Sequence, residues 1–325
     1  MARVFITQPI PQSALERLLG LAEVDWNEDD THIMTPDELA AALHEHDVLF
    51  CLLPDRVDAE LLEANPGLRM VASMKITPSD IDVAAATARR IPVTVVPPIV
   101  TEATADLHFG LLLAVARRVV EGDRLIRAGV FPGAQSMHLV GSAVWGRTIG
   151  LVGGGGRIGR AVARRARGFS MRTIYWAPRR LPEAEERSLG FAYVPMDQLL
   201  AESDFVSVHA PLKPETHHLI GARELRLMKP TAFLVNSARG PIVDEQALVE
   251  ALAERRIAGA ALDVFEREPQ VEEALLEMPN VVLTPHLGSA VAEVRETMAH
   301  MVVDNIAAVL EGRRPPNCWN PEIYG

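Results

Sequence analysis

The sequence predicts an α/β protein built on parallel sheets, and three observations carry that prediction. Short runs of consecutive apolar residues recur along the chain, segments with helical apolar spacing separate them, and a glycine cluster stands between one such run and one such helix. Strands buried on both faces read as continuous apolar runs, and parallel neighbours need a crossover between them.

In order, Val4–Thr7 is a short strand and Ser13–Leu21 has helical spacing. Val48–Leu53, Leu68–Ser73 and Pro92–Val96 are further strands, so the first hundred or so residues form one α/β unit. Thr101–Val120 reads as one long Ala- and Leu-rich helix bridging two domains. A second series starts at Thr148, with strands at 148–153, 172–176, 204–208, 231–235, 258–262 and 280–283. Helical patterns lie between them, among them Arg157–Arg167, Asp244–Ala253 and Val271–Leu276. Six strands with intervening helices match a doubly wound nucleotide-binding fold. A last helix near 290–310 returns the chain to the first unit.

The bulk properties exclude several classes. A formal charge of −11 over 325 residues repels phosphate backbones, so nucleic acid is not an expected partner. Cys51 and Cys318 stand in no CxxC or Cys/His cluster, which argues against structural metal and disulfides and for reduced thiols in a cytoplasmic protein. Met1–Ile6 reads as a strand and not as a signal peptide. No apolar run reaches the ~18 residues of a membrane span.

Gly154, Gly156 and Gly159 follow an apolar strand and open a helix, with Arg157 and Ile158 inside the motif. In that context the first glycine permits a tight turn, the second lets the backbone approach a pyrophosphate, and the third lets helix and strand pack closely. The helix N-terminus adds free N–H groups and positive dipole. This predicts dinucleotide binding in a Rossmann arrangement. The next strand, Arg172–Trp176, ends in Ala177-Pro-Arg-Arg180, where an NAD enzyme usually has an acidic residue for the ribose 2′-OH. Arg179 and Arg180 suit a 2′-phosphate instead, so NADP(H) is expected over NAD(H), with NAD(H) use still possible.

Downstream, Arg239, Glu268 and His286 lie just past three successive strands, where ligands bind in open parallel sheets. The set suits reduction of a 2-keto acid. An imidazolium can give a proton to the new alkoxide, a carboxylate can orient it, and a guanidinium can fix the substrate carboxylate. On spacing alone Glu266 and Glu268 compete for the carboxylate role. His209, His217 and His218 are expected at the surface.

Gly154–Gly159, His209-Ala-Pro-Leu212, Leu227-Met-Lys-Pro230, Asn236-Ser-Ala-Arg-Gly240, Asp263-Val-Phe-Glu-Arg-Glu-Pro269 and Thr284-Pro-His286 together resemble the D-isomer-specific 2-hydroxyacid dehydrogenases. The resemblance covers nearly the whole chain. It implies a smaller flavodoxin-like substrate domain from residues 1–99 and 288–325, and an inserted Rossmann domain at 100–287. It implies an active site between them and a homodimer built around the cofactor domains. It makes His286 the acid/base, Glu268 its partner and Arg239 the binder of the substrate carboxylate. It places Asp263 on the nicotinamide carboxamide, and Thr104, Pro211 and Ser289 along the cofactor.

One stretch departs from the family. Members usually carry a glycine-rich loop whose N–H groups hold the substrate carboxylate, but here it reads Ser73-Met-Lys-Ile-Thr-Pro-Ser-Asp80. Lys75 is the expected replacement, a substrate-binding point charge. That feature, with Leu53–Ala59 and Gly288–Val291, resembles phosphite dehydrogenases of the same family, although Ala134 and Leu139 stand where that subgroup has aromatic residues. The expected activity is hydride transfer between NADP(H) and a small 2-keto or 2-hydroxy acid such as glyoxylate or hydroxypyruvate. The alternatives are phosphite oxidation and a cofactor-sensing module similar to C-terminal binding protein corepressors.

Overall fold

The computed structural model describes residues 1–325, which fall into two compact units, Met1–Ile99 with Ala290–Gly325, and Val100–Ser289. The second junction thus comes two residues after the expected 287/288 boundary.

The first unit holds β1 (Arg3–Ile6), β2 (Glu23–Trp26), β3 (Val48–Cys51), β4 (Met70–Ser73) and β5 (Val93–Thr94). All pair in parallel, in the order β2-β1-β3-β4-β5, the flavodoxin-like order. Every residue of β3 and β4 is buried, in keeping with the apolar run of β3 and of Met70–Ala72 in β4. Helix Pro36–Leu43 is set by a capping box: the Thr35 hydroxyl accepts the Glu38 N–H, and the Glu38 carboxylate accepts the Thr35 N–H at 2.8 Å. Helix Ala292–Leu310 packs on helix Gln12–Leu19 and on β4 of this same unit.

The second unit holds β6 (Thr148–Val152), β7 (Arg172–Trp176), β8 (Phe191–Tyr193), β9 (Phe205–Val208), β10 (Phe233–Asn236), β11 (Gly259–Leu262) and β12 (Val281–Leu283). Their order is β12-β11-β10-β9-β6-β7-β8, again all parallel. This is the doubly wound Rossmann order with one strand added beyond the sixth. The order reverses between β6 and β9, so the carboxyl ends of those strands flank a ligand crevice. Apolar residues of both faces close the core, with Val208, Leu234 and Leu248 on one side and Leu112, Val162 and Val235 on the other.

Three elements differ from expectation. β2 and β8 lack a sequence signal. Glu-Val-Asp-Trp of β2 and the three residues of β8 sit at sheet edges, where one side of the strand needs no continuous apolar run. The long helix divides into Thr101–Ala116 and Val119–Arg127, because Arg118 takes a left-handed backbone (φ 54°) while its guanidinium clasps Glu121 at 2.7 and 2.8 Å. Thr101–Ala116 does not serve as a bridge: it packs on helix Arg157–Gly168, β10 and β11 inside the second unit.

Candidate active site

The glycine turn follows β6 directly. Its left-handed residue is Gly153 (φ +81°), and a Cβ there would lie 2.5 Å from the Ala210 nitrogen. The tight-turn role therefore falls on Gly153 and not on Gly154. Gly154 and Gly159 are instead the close-packing pair, since a Cβ on Gly159 would stand 2.7 Å from the Gly154 Cα. Gly156 is exposed and caps helix Arg157–Gly168 with no side-chain acceptor. The first-turn N–H groups, carried by Arg157, Ile158 and Gly159, have no intrahelical partner by helix geometry and are placed to receive an anion.

Past β7 the two arginines have different situations. Arg180 donates to both oxygens of Glu186, Nε to Oε1 at 2.9 Å and Nη2 to Oε2 at 2.8 Å. Tyr175 donates its hydroxyl to the same carboxylate at 2.8 Å and accepts the Leu181 N–H at 2.7 Å. The Arg180 hydrogen bond holds Glu186 below the usual carboxylate range against the opposing effect of burial. Arg179 is exposed and makes no hydrogen bond or ion pair. Arg179 thus has all its donors unengaged, whereas Arg180 commits Nε and Nη2 to Glu186.

The loop after β10 is fastened by Asn236. Its side chain donates to the Arg239 carbonyl at 3.0 Å and accepts the Ala238 N–H at 3.0 Å. Arg239 is half-buried and donates to the Ala238 carbonyl at 2.7 Å. Gly240 brings this loop against the one after β11, where a Cβ would fall 1.9 Å from the Phe265 carbonyl carbon, so no other residue fits.

Asp263, the first residue past β11, is fully buried. Its Oδ1 accepts the Thr284 hydroxyl at 2.6 Å and the Leu287 N–H at 2.7 Å, and its Oδ2 accepts the Gly288 N–H at 2.9 Å. Its carbonyl accepts the His286 N–H at 2.9 Å. Burial raises its carboxyl, and the hydrogen bonds from Thr284 and from the two backbone amides work in the opposite sense. The loop carrying His286 is thus wound around this carboxylate. Thr104, also buried, donates its hydroxyl to the Gly288 carbonyl at 2.9 Å and braces the loop from the other side. Pro211 is exposed past β9, and Ser289 is half-buried.

This bracing sets His286 (φ 55°) with Nδ1 2.8 Å from Glu268 Oε2. Nδ1–H donates to the carboxylate, and Nε2 is the ring nitrogen left outside this pair. Glu268 Oε1 accepts the Phe265 N–H at 2.9 Å. Burial works to raise the Glu268 carboxyl, but the hydrogen bond and charge of His286, the Phe265 N–H and the Arg239 charge outweigh it and bring the group below its ordinary value. The competition between the two glutamates has a geometric answer. Glu268 meets His286, whereas Glu266 turns to His218 (2.8 Å) and to the Glu245 N–H (3.2 Å).

Two further expectations need correction. Lys75 has 3% exposure, and its ammonium donates to the Asp55 carbonyl and to the Asp80 carboxylate, each at 2.8 Å. Its charge is occupied by Asp80 of its own loop and by the Asp55 carbonyl of the loop after β3. His209 and His218 are half-buried, not at the surface as expected; only His217 is exposed.

A group missed in the sequence lies beneath the strand ends. Ser207 Oγ is 2.6 Å from both His209 Nε2 and His108 Nε2, and His108 Nδ1 is 2.7 Å from Ser237 Oγ. Burial drives His108 well below the usual histidine range and His209 to about 3, so both rings are neutral. This uncharged chain ties the end of β9 to the loop of Arg239. The available signal was a lone histidine inside the apolar helix Thr101–Ala116.

No helix is long and apolar enough to cross a membrane. Residues 109–288 match the family described as D-isomer specific 2-hydroxyacid dehydrogenase, NAD binding domain. The chain is 46% identical over 326 residues to a glyoxylate reductase of Thermococcus litoralis, covering 99% of this chain and 97% of that one. It is 48% identical over 323 residues to a glyoxylate reductase of Korarchaeum cryptofilum, covering 99% and 96%. Among solved structures, the TT0316 protein of Thermus thermophilus superposes with a TM-score of 0.89 at 43% identity, over 98% of this chain and 99% of that one. With this family match and identities of 46–48% along almost its whole length, the chain belongs to the D-isomer-specific 2-hydroxyacid dehydrogenase family, nicotinamide-dependent oxidoreductases that move a hydride between the cofactor and a 2-keto/2-hydroxy acid.

Proposed function

We propose that this chain is an NADP(H)-dependent reductase of glyoxylate, hydroxypyruvate or a similarly small 2-keto acid. The observation that carries the reading is the His286 Nδ1–Glu268 bond, which fixes one tautomer and leaves Nε2 as the proton donor. The glyoxylate reductase relatives supply the substrate class. The glycine turn, the uncapped helix N-terminus and the unpaired Arg179 fit a dinucleotide with a 2′-phosphate, and Trp176-Ala-Pro offers no carboxylate against it.

When bound, the nicotinamide cofactor supplies the hydride. Arg239 pairs with the substrate carboxylate and orients C2. As the hydride reaches C2, the electron pair of the carbonyl moves to oxygen, and His286 Nε2 gives its proton to that alkoxide. Glu268 stabilises the imidazolium before transfer and holds the ring afterwards. Asp263 and Thr104 serve this reading by holding the His286 loop.

The phosphite alternative draws on Lys75 together with Leu53–Ala59 and Gly288–Val291; of these, Lys75 has its ammonium engaged by the Asp55 carbonyl and Asp80, so the phosphite reading is kept as an arm of the test. A homodimer is part of the proposal. Phe131, Met137 and Trp145 are 74%, 82% and 68% exposed, and the same unit carries a hollow of about 650 Å³ lined by Val120, Phe233, Ile257 and Met278. A second copy could cover both. The two free cysteines suit a reducing, cytoplasmic compartment.

The test is a four-arm assay at 340 nm: glyoxylate with NADPH, glyoxylate with NADH, and phosphite with each oxidised cofactor. Rapid NADPH consumption with glyoxylate is expected. A clear preference for NADH overturns the cofactor assignment, and turnover with phosphite alone overturns the substrate. Light scattering on a sizing column is to give twice the monomer mass; monomer at micromolar concentration refutes the dimer.

A further inference from the structure

The loop that carries Glu268 holds a second carboxylate with its own surroundings. Glu266 Oε1 is 2.8 Å from His218 Nε2. His218 has φ 51°, in the left-handed region. Successive side chains of an extended chain point to opposite faces. The left-handed residue instead lays the His217 ring on the His218 ring, with centroids 4.0 Å apart and planes inclined by 31°. As a result one ring nitrogen of His217, one of His218 and a carboxylate oxygen of Glu266 lie within 4.8 Å of one another.

We propose that His217, His218 and Glu266 bind a divalent transition-metal ion of the zinc class. Ligands of a tetrahedral ion at about 2.0–2.2 Å stand roughly 3.4 Å apart. The His218–Glu266 contact has to open slightly to reach that spacing, and the exposed His217 ring has to move in by up to about 1.4 Å. A ligating imidazole is normally backed on its other nitrogen by a carboxylate, and Asp244 Oδ2 lies 3.9 Å from His218 Nδ1. The Glu245 carboxylate accepts the Glu266 N–H at 3.0 Å, while Glu266 Oε2 accepts the Glu245 N–H, so the third ligand is held from behind. Two imidazoles with one carboxylate select zinc, nickel or copper over magnesium and calcium, which take oxygen sets. Three carboxylates around two rings also leave the cluster with negative charge that a dication offsets. Because Glu266 is two residues from Glu268, an ion held there pulls on the loop that orients His286.

The test is calorimetric titration of untagged, EDTA-treated full-length protein with zinc chloride, in excess magnesium. Wild type, His217→Ala, Glu266→Gln and the control His32→Ala are compared. One micromolar site is expected in the wild type and in the control, weakened at least about tenfold in the other two. Cobalt is to give the visible absorption of a tetrahedral site in the wild type and not in His217→Ala. Zinc affinity unchanged by His217→Ala and Glu266→Gln, or no uptake up to millimolar zinc, overturns the proposal and leaves His218–Glu266 as an ion pair.

Discussion

Replacing Glu268 by Gln removes one acceptor from the pair that holds the proton donor, with almost no change of shape. In the wild type Oε2 accepts the His286 Nδ1–H at 2.8 Å and Oε1 accepts the Phe265 N–H at 2.9 Å. Glutamine has a single acceptor oxygen. The Phe265 N–H is fixed in the backbone and retains it, so the amide nitrogen meets Nδ1 donor to donor. A hydrogen bond to a charged partner contributes about 1.5–3 kcal/mol. The His286 and Glu268 side chains are 31% and 36% exposed, so solvent screening puts the loss near about 1.5–2 kcal/mol. At about 1.4 kcal/mol per tenfold, kcat for glyoxylate reduction falls roughly 10- to 30-fold. KM for glyoxylate stays within about twofold, because Arg239 is untouched. Steady-state rates at saturating NADPH measure both. A loss confined to KM, or a fall in kcat below about threefold, refutes the reasoning. Stability supplies a second readout. The folded Glu268 carboxyl lies below its ordinary value, so its contribution is present above the unfolded value and is lost as pH falls through the folded one. The stability gap between wild type and Glu268→Gln therefore closes on acidification below the ordinary glutamate range.

Four other substitutions separate roles that the sequence alone merges. Arg179→Ala is to raise KM for NADPH about tenfold, the worth of one charge-assisted bond, and to leave NADH unchanged; Arg180→Ala, which frees Glu186 beside the same site, is to lower thermal stability as well, and identical kinetics and stability for the two variants contradict this division. Lys75→Met, which strips a donor from the Asp55 carbonyl and from Asp80, is to cost about 1–3 kcal/mol in urea unfolding with kcat/KM nearly intact; a large KM effect at unchanged stability returns Lys75 to the substrate site. Ser207→Ala leaves His108 and His209 each without a partner on Nε2, and an orphaned buried group costs about 1–3 kcal/mol; unfolding midpoints within error of wild type contradict the role of the chain.

What was legible in the sequence follows from where each signal is local. β3, β4, β6 and β9–β12 are buried on both faces, and their apolar runs needed no tertiary information. β2 and β8 are edge strands whose pairing comes wholly from a neighbour, so Glu-Val-Asp-Trp carries no mark of it. Arg239, Glu268 and His286 were legible because each follows a recognisable strand, and strand ends converge in a parallel sheet. Partner choice among charged side chains was not. Arg179 and Arg180 are identical in sequence terms, and the division between them depends on Glu186, brought back by helix Glu183–Leu189. Lys75 looked like a substrate ligand for the same reason: Asp80 curls back to it only through the loop's conformation. The Gly153 turn was shifted by one residue, since four glycines in a row give no way to tell which takes the positive φ.

The division of burial across the site has a physical reason. Asp263 is at 0% exposure, and Asn236 and Thr104 are at 1% and 5%; these groups touch backbone and fix loops. Glu268 and His286 are each about a third exposed, and Arg239 is half-buried. On the proposed reading the acid cycles between imidazolium and imidazole, and a site that expels the charged form would not serve it, as the neutral His108 and His209 show. The heaviest desolvation in the site falls on Asp263, whose carboxyl it raises while three hydrogen bonds work in the opposite sense. Positioning is thereby separated from reactivity. The braces are buried, whereas His286 and Glu268 keep contact with solvent.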